Sequence, residues 1–282
     1  IGWCDWSSDV CSSDLHALAT DTMGNIYVTG VTSGSLPGQI SAGGQDVFLV
    51  RFDALGNRTL TRQYGSAQDD MGMALVLDGT GNLYLAGSAG GAFDGQTHAG
   101  SVDVLLMKIN SASGDPAWTR IFGTTSVDLP NAVAWEPGGG VFVAGFTTGA
   151  LDGNVWAGGQ DLFLTRFSAA GDRAWTRQRG TTGEEQAFSL AAAPAGFVTL
   201  VGFTTGAWDG QPFLGVEDLA VLRFDTAGTH QWTRTWGTSA GENAQAIAAD
   251  ATGHVWIAGF TSGPLNGRPN TGGMDAFLLF VP

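Results

Sequence analysis

Apolar and polar positions alternate along this chain in short runs bounded by glycine, asparagine, aspartate or serine. NIYVTGVT at 25, NLYLAGSA at 82, GVFVAGFT at 140, FVTLVGFT at 197 and HVWIAGFT at 254 place aromatic and β-branched residues at alternate positions, the period of a strand with two unlike faces. A second class, DVFLVRF at 46, DVLLMKI at 103, DLFLTRF at 161, DLAVLRF at 218 and DAFLLFV at 275, is largely apolar on both faces, as expected of a strand covered on both sides. A third is short and small: ALAT at 17, AVAW at 132, SLAAA at 189 and AIAAD at 246. Small side chains suit a crowded place, so this strand is expected innermost. A fourth, typified by AWTRQRG at 174, is more polar and suits an outer edge. Turns such as DTMGN, DGTGN and FDALGN join these runs, with glycine where a tight hairpin needs positive φ.

The four classes recur in one order at a fixed period. The aspartate opening the second class falls at Asp46, Asp103, Asp161, Asp218 and Asp275, with spacings of 57, 58, 57 and 57. Gly30, Gly87, Gly145, Gly202 and Gly259 repeat those spacings. Such a period marks one supersecondary module that buries its face against the next. Four-stranded antiparallel modules of this size predict an all-β chain, a β-propeller of four complete repeats and an incomplete fifth, which leaves open whether the ring closes. The units run at about 17–73, 74–131, 132–188, 189–245 and 246–282. A β-solenoid is the second choice, because its rungs are shorter and its strands parallel.

Residues 1–15 stand outside this pattern, and Asp5 to Leu15, DWSSDVCSSDL, resembles the translation of a sequencing adapter. Such a segment is set aside from the 16–282 repeat domain and is expected to add nothing to the fold. It holds both cysteines, Cys4 and Cys11, so no disulfide or zinc argument reaches the repeats. Without it the balance is 23 acidic against 12 basic residues, a net charge of −11 instead of −14. That sign argues against nucleic acid as a partner. No run of 18 apolar residues exists, so no membrane-spanning helix is expected.

The repeated units, of the form GNxYVxGxTxGxLDGxxxAGGxDxFLxRFDxxGxxxWTRQxGT, resemble the SBBP repeat of bacterial β-propellers over about 17–282. Departures are confined to single blades: Ser88 and Lys108 in the second, and GVED in place of GGQD in the fourth. The resemblance implies a secreted or cell-surface bacterial protein in which the repeats form a non-catalytic module of a larger chain, with earlier repeats upstream as further partners.

Three constellations are candidates for chemistry. Arg51, Lys108, Arg166 and Arg223 share one slot, and Arg62, Arg120, Arg177 and Arg234 another. Cations repeated in every unit are expected to pin strands by pairing with the repeated acids Asp70, Asp128, Glu185 and Glu242. In a meander, fifteen carboxylates, from Asp46 to Asp275, fall in the loops of one face. Within these loops Asp94 and Asp103, Asp152 and Asp161, and Asp209 and Asp218 form couples nine residues apart. Oxygen ligands on such loops suit Ca²⁺; the competing reading is an Asp-Gly turn followed by an aspartate that caps backbone amides. Trp156, Trp208 and Phe213 lie in or beside these loops, where aromatic rings could stack on a carbohydrate ligand.

Catalysis has little support. His16, His98, His230 and His254 occupy unrelated slots, and serine in the GTTS and TSG loops has no partner in view. The function expected is therefore non-enzymatic: an extracellular repeat module for binding or spacing, with an unidentified protein or carbohydrate partner and Ca²⁺ as the candidate ion. The alternatives are a quinone-dependent dehydrogenase-like propeller and a propeller lectin.

Overall fold

The computed structural model describes residues 13–282. Asp5 to Ser12 of the adapter-like segment, with Cys4 and Cys11, lie outside the described residues. The chain forms two compact units, one through Phe122 and one from Gly123 to Pro282. The first unit holds two blades: β1 (Ser13–Thr20), β2 (Ile26–Thr32), β3 (Asp46–Phe52) and β4 (Arg58–Tyr64); then β5 (Asp70–Leu77), β6 (Asn82–Ala89), β7 (Asp103–Asn110) and β8 (Pro116–Phe122). The second unit holds three: β9 (Asp128–Glu136), β10 (Gly140–Thr147), β11 (Asp161–Ser168) and β12 (Arg173–Arg179); β13 (Glu185–Ala193), β14 (Phe197–Thr204), β15 (Asp218–Asp225) and β16 (His230–Trp236); and β17 (Glu242–Ala249), β18 (Val255–Thr261) and β19 (Asp275–Val281). Every sheet is an antiparallel meander in chain order, four strands in the first four blades and three in the fifth. The fold class is all-β, of β-propeller type.

The first strand of each blade differs from its expected form. It begins not at Ala132 or Ser189 but upstream, at Asp128 and Glu185. The reason is a β-bulge that skips one residue: His16, Met73, Asn131, Phe188 and Gln245 in the five blades. A bulge breaks the alternation of faces, so only the stretch after it reads as a strand, and the unit boundaries drawn at 74, 132, 189 and 246 fall just past the bulges. The same effect moves the boundary at the N-terminus. β1 includes Ser13, Asp14 and Leu15, paired with Thr32, Val31 and Gly30, so the last three residues of the adapter-like segment belong to the first sheet.

Opposite each bulge stands the repeated glycine. A Cβ on Gly202 would lie 1.8 Å from the Gln186 carbonyl oxygen, and one on Gly145 1.9 Å from that of Leu129. The bulged strand therefore approaches its neighbour more closely than any side chain allows.

Within each unit, blades are joined by the same devices. Backbone amides of the first-strand acids donate to the preceding blade: Asp70 to Gln45 O at 2.7 Å, Glu185 to Gln160 O at 2.7 Å and Glu242 to Glu217 O at 2.8 Å. Bulged side chains reach forward as well, His16 Nδ1 to Gly72 O at 2.8 Å and Asn131 Nδ2 to Ala187 O at 2.9 Å. Apolar side chains fill the space between sheets; one cluster joins Phe142, Leu162 and Leu164 to Leu190, Leu200 and Trp208.

Among the periodic cations, Arg51, Arg62, Arg166, Arg177 and Arg223 meet other partners than the expected Asp70, Asp128, Glu185 and Glu242. Four of them reach hairpin carbonyls of the next blade: Arg51 Nη1 to Ser111 O at 3.0 Å, Arg62 Nη2 to Ser113 O at 2.5 Å, Arg177 Nε to Gly228 O at 2.7 Å and Arg223 Nη2 to Gly253 O at 2.5 Å. Their planes lie over the fourth-strand tryptophans, Arg177 at 5.2 Å from the Trp175 ring and Arg234 at 4.7 Å from that of Trp232. Two arginines at other slots do meet carboxylates, Arg173 with Asp152 at 2.8 Å and Arg179 with Asp209 at 2.6 Å. Among the periodic set Arg166 meets a hairpin acid, Glu136, at 2.7 Å, and Arg62 meets Asp115 at 3.7 Å. Arg177→Ala is thus expected to remove a charge-assisted hydrogen bond and a ring contact, costing about 2 kcal/mol in urea unfolding. A loss of about 3 to 5 kcal/mol would instead indicate a broken buried ion pair.

Candidate functional site

The long loops between second and third strands hold most of the residues singled out for chemistry. Asp94, Asp152, Asp209 and Asn266 occupy equivalent places and share a left-handed backbone, φ 49°, 51°, 48° and 50°. Each precedes a glycine that also has positive φ, the geometry of an Asp-Gly turn. Their carboxylates accept from a fourth-strand threonine: Thr119 Oγ1 to Asp94 at 2.5 Å, Thr176 to Asp152 and Thr233 to Asp209. Asp152 and Asp209 also hold Arg173 and Arg179. Burial pulls the Asp209 carboxyl up, but the Thr233 hydroxyl and the Arg179 charge outweigh it and leave it below its usual value.

The second member of each couple faces inward. Asp46, Asp103, Asp161 and Asp218 are buried, and one oxygen of each caps the amide four residues back: Ala42, Ala99, Ala157 and Leu214. Where the fourth strand carries glutamine, its side-chain amide joins in, Gln63 Nε2 to Asp46 at 2.6 Å and Gln178 Nε2 to Asp161 at 2.9 Å. The other oxygens of Asp46, Asp161 and Asp218 are buried without a partner.

Beside them lie the acids that open the first strands. Glu185 Oε1 accepts from Thr181 Oγ1 at 2.8 Å and Thr204 Oγ1 at 2.7 Å, and Oε2 accepts from the Thr181 amide. Glu242 repeats this with Thr238 and Thr261. A Cβ on Gly180 would lie 2.1 Å from Asp161 Oδ1 and 3.0 Å from Glu185 Oε2, so one glycine separates two buried carboxyls. Burial raises the Glu185, Asp70 and Asp218 carboxyls above their usual values, with a smaller push from neighbouring Asp161, Asp46 and Glu242 respectively. Eight of the fifteen carboxylates expected on one face are therefore buried, at 46, 70, 103, 128, 161, 185, 218 and 242. They are internal hydrogen-bond acceptors instead of a surface that gathers counter-ions. Sequence reasoning passed over these threonine–acid pairs, although their spacing of four, Thr124 to Asp128, Thr181 to Glu185 and Thr238 to Glu242, was visible; the threonines of the GTTS and GTTG loops have carboxylates for partners and no base.

The donor set does not make a calcium cage. Calcium takes about six to eight oxygens, whereas Asp152 and Asp209 are engaged by arginine and threonine and their couple partners turn into the blade. Among the described residues no three His, Cys, Asp or Glu side chains converge on a point suited to a metal ion. The aromatic candidates separate too. Trp208 is 5% exposed and part of the core, while Trp156 is 46% exposed with its Nε1 donating to Gly159 O at 3.1 Å, and Phe213 is half-buried.

No protein-family model matches the chain. It is 24% identical over 197 residues to the regulatory protein FlaEY of Caulobacter vibrioides, an alignment covering 63% of this chain and 20% of that protein. Quinohemoprotein alcohol dehydrogenase from Comamonas testosteroni superposes with a TM-score of 0.51 at 13% identity, over 95% of this chain and 43% of that one. The β-propeller domain of the Trilobed protease from Pyrococcus furiosus gives 0.49 at 6% identity, over 95% and 69%. The chain thus spans a fifth of the curated relative and under half of the dehydrogenase, and at these identities the likeness to solved structures is one of fold. No helix among the described residues is long and apolar enough to cross a membrane.

Proposed function

We propose that this chain is a non-catalytic β-propeller module, built from SBBP-like repeats, that binds or spaces other polypeptides in a secreted or surface protein. One observation carries the reading. The chemistry-bearing side chains repeat from blade to blade, and each copy is engaged by its own surroundings: Asp161 by Ala157 and Gln178, Glu185 by Thr181 and Thr204, Arg177 by Gly228. A catalytic centre needs unlike groups converging on one reacting atom, and periodic self-engaged groups supply none. The resemblance of the repeat supports the secreted setting.

The rival enzymatic readings can be tried directly. The purified chain, with pyrroloquinoline quinone and Ca²⁺ added, is expected to show no dye-linked alcohol oxidation, and no hydrolysis of nitrophenyl xylosides or of a fluorogenic sialoside, above buffer. Turnover that disappears when the protein is unfolded would overturn the proposal.

A further inference from the structure

Side chains that repeat from blade to blade are taken up by their own surroundings, so an exposed pair that departs from the repeat stands apart. The residue five places before each third-strand aspartate is Ser41, His98, Trp156, Phe213 and Asn270 in the five blades. The residue before each first-strand acid is Asp69, Val127, Glu184 and Gly241 in the last four. An aromatic ring and an acid coincide at one joint alone, Trp156 of the third blade with Glu184 at the start of the fourth.

Both are anchored at Gly159. The Trp156 indole donates from Nε1 to Gly159 O at 3.1 Å, which orients the ring, and a Cβ on Gly159 would lie 3.5 Å from Glu184 Cγ. Main-chain bonds hold Glu184 from its other side: its amide donates to Thr205 Oγ1 at 2.7 Å and its carbonyl accepts from the Thr205 amide at 3.0 Å. Trp156 and Glu184 are exposed, as is Val155 beside the ring. At the first joint the counterpart acid, Asp69, is occupied by the Gln45 amide at 2.8 Å. No basic side chain among the described residues pairs with Glu184; those of β12, Arg173, Arg177 and Arg179, are engaged by Asp152, Gly228 and Asp209. An exposed indole beside a carboxylate that nothing neutralises is the chemistry that receives a cation.

We infer that Trp156 and Glu184 form a binding site for a lysine or arginine side chain on a basic segment of a partner protein. The cation lies over the indole face and Glu184 neutralises it, while Val155 offers apolar surface to the aliphatic stem. Charge complementarity selects this occupant over a sugar: the chain carries a net −14, a field that draws in a basic segment and does nothing for a neutral ring of hydroxyls. The inference rests on the binding half of the proposed function. A chain that lacks turnover and also ignores basic peptides remains a spacer, and one that binds them while turning over a substrate fails the proposed function alone, so the two fail separately.

The test uses the full chain and fluorescein-labelled hexaarginine, followed by fluorescence anisotropy at physiological salt, with labelled hexaglutamate as the control. Saturable binding of hexaarginine is expected, weakened about threefold or more by Trp156→Ala and by Glu184→Gln, with thermal midpoints unchanged because both side chains are exposed. Asp172→Asn removes one exposed carboxylate from a hairpin of the same blade and alters the net charge as Glu184→Gln does, so it should leave the affinity as it was. No binding, or equal weakening by all three substitutions, overturns the inference. Cellohexaose that displaces the peptide, and whose own binding needs Trp156 but not Glu184, would make the ring a carbohydrate platform and overturn the assignment to a basic partner.

Discussion

Gly202→Ala is expected to lower the stability of the chain by about 3 kcal/mol or more in urea unfolding, or to prevent folding. The added methyl would sit 1.8 Å from Gln186 O, 2.9 Å from its carbonyl carbon and 3.1 Å from the Ala187 Cα. All three are backbone atoms of a bulged strand held by its own ladder, so nothing flexible can yield and the strands must separate. Gly241→Ala is the control. A Cβ there meets nothing within 4 Å, and the change should stay within about 1 kcal/mol. If Gly202→Ala proved as mild as Gly241→Ala, the close approach at the bulges would not exist.

The second large effect concerns the buried carboxyls. Glu185→Ala strips the acceptor from the Thr181 amide, Thr181 Oγ1 and Thr204 Oγ1 at once. The orphaned donor on buried Thr204 costs about 1 to 3 kcal/mol and the two on half-buried Thr181 less each, which puts the sum near 4 kcal/mol. The pH dependence follows from the same group. Its folded-state affinity for a proton is raised, chiefly by burial. Between the unfolded and folded values the native state holds more protons, so stability is full below the unfolded value and declines as pH rises through the folded one. Asp70 and Asp218 act in the same direction. Asp21 and Asp53 act oppositely: donors from Asn25 and Asn57 hold them below the usual value, so their contribution is present above the unfolded value and lost as pH falls. The thermal midpoint is therefore expected to peak near the ordinary carboxylate range and to fall as pH rises above it. Glu185→Gln should flatten that decline even if its midpoint is lower throughout. A midpoint that rises steadily with pH above the ordinary carboxylate range would contradict the buried, proton-retaining carboxyls.

Much of the architecture was legible because strand signals here are strong and recur. DVFLVRF and its relatives carry apolar residues on both faces, and β3, β7, β11 and β15 are indeed buried along most of their length. The Asp-Gly turns were readable from residue type, and the left-handed backbone at Asp152 and Asp209 follows from it. The bulge was not legible, since skipping His16 or Phe188 reverses the alternation without leaving a compositional mark. Nor were the partners of the arginines. Main-chain carbonyls on a neighbouring hairpin have no sequence signature, whereas acids such as Glu185 stand out as letters and attract the pairing. Burial of those acids depends on glycine and threonine neighbours from different strands, which a linear reading does not bring together.

The joints between blades also say how such a chain can change its length over generations. Each complete blade of a unit brings both halves of a joint: the accepting carbonyl just before its third strand, as at Gln160, and the acid and donating amide at the start of its first, as at Glu185. Duplicating or excising one whole period of DNA reunites the same halves in frame, and the new junction is chemically the old one. An insertion or deletion of another length within these loops would part Thr181 from Glu185 or Asp161 from its cap at Ala157. A chain joined in this way is therefore expected to tolerate the gain or loss of whole blades better than that of any fraction of one.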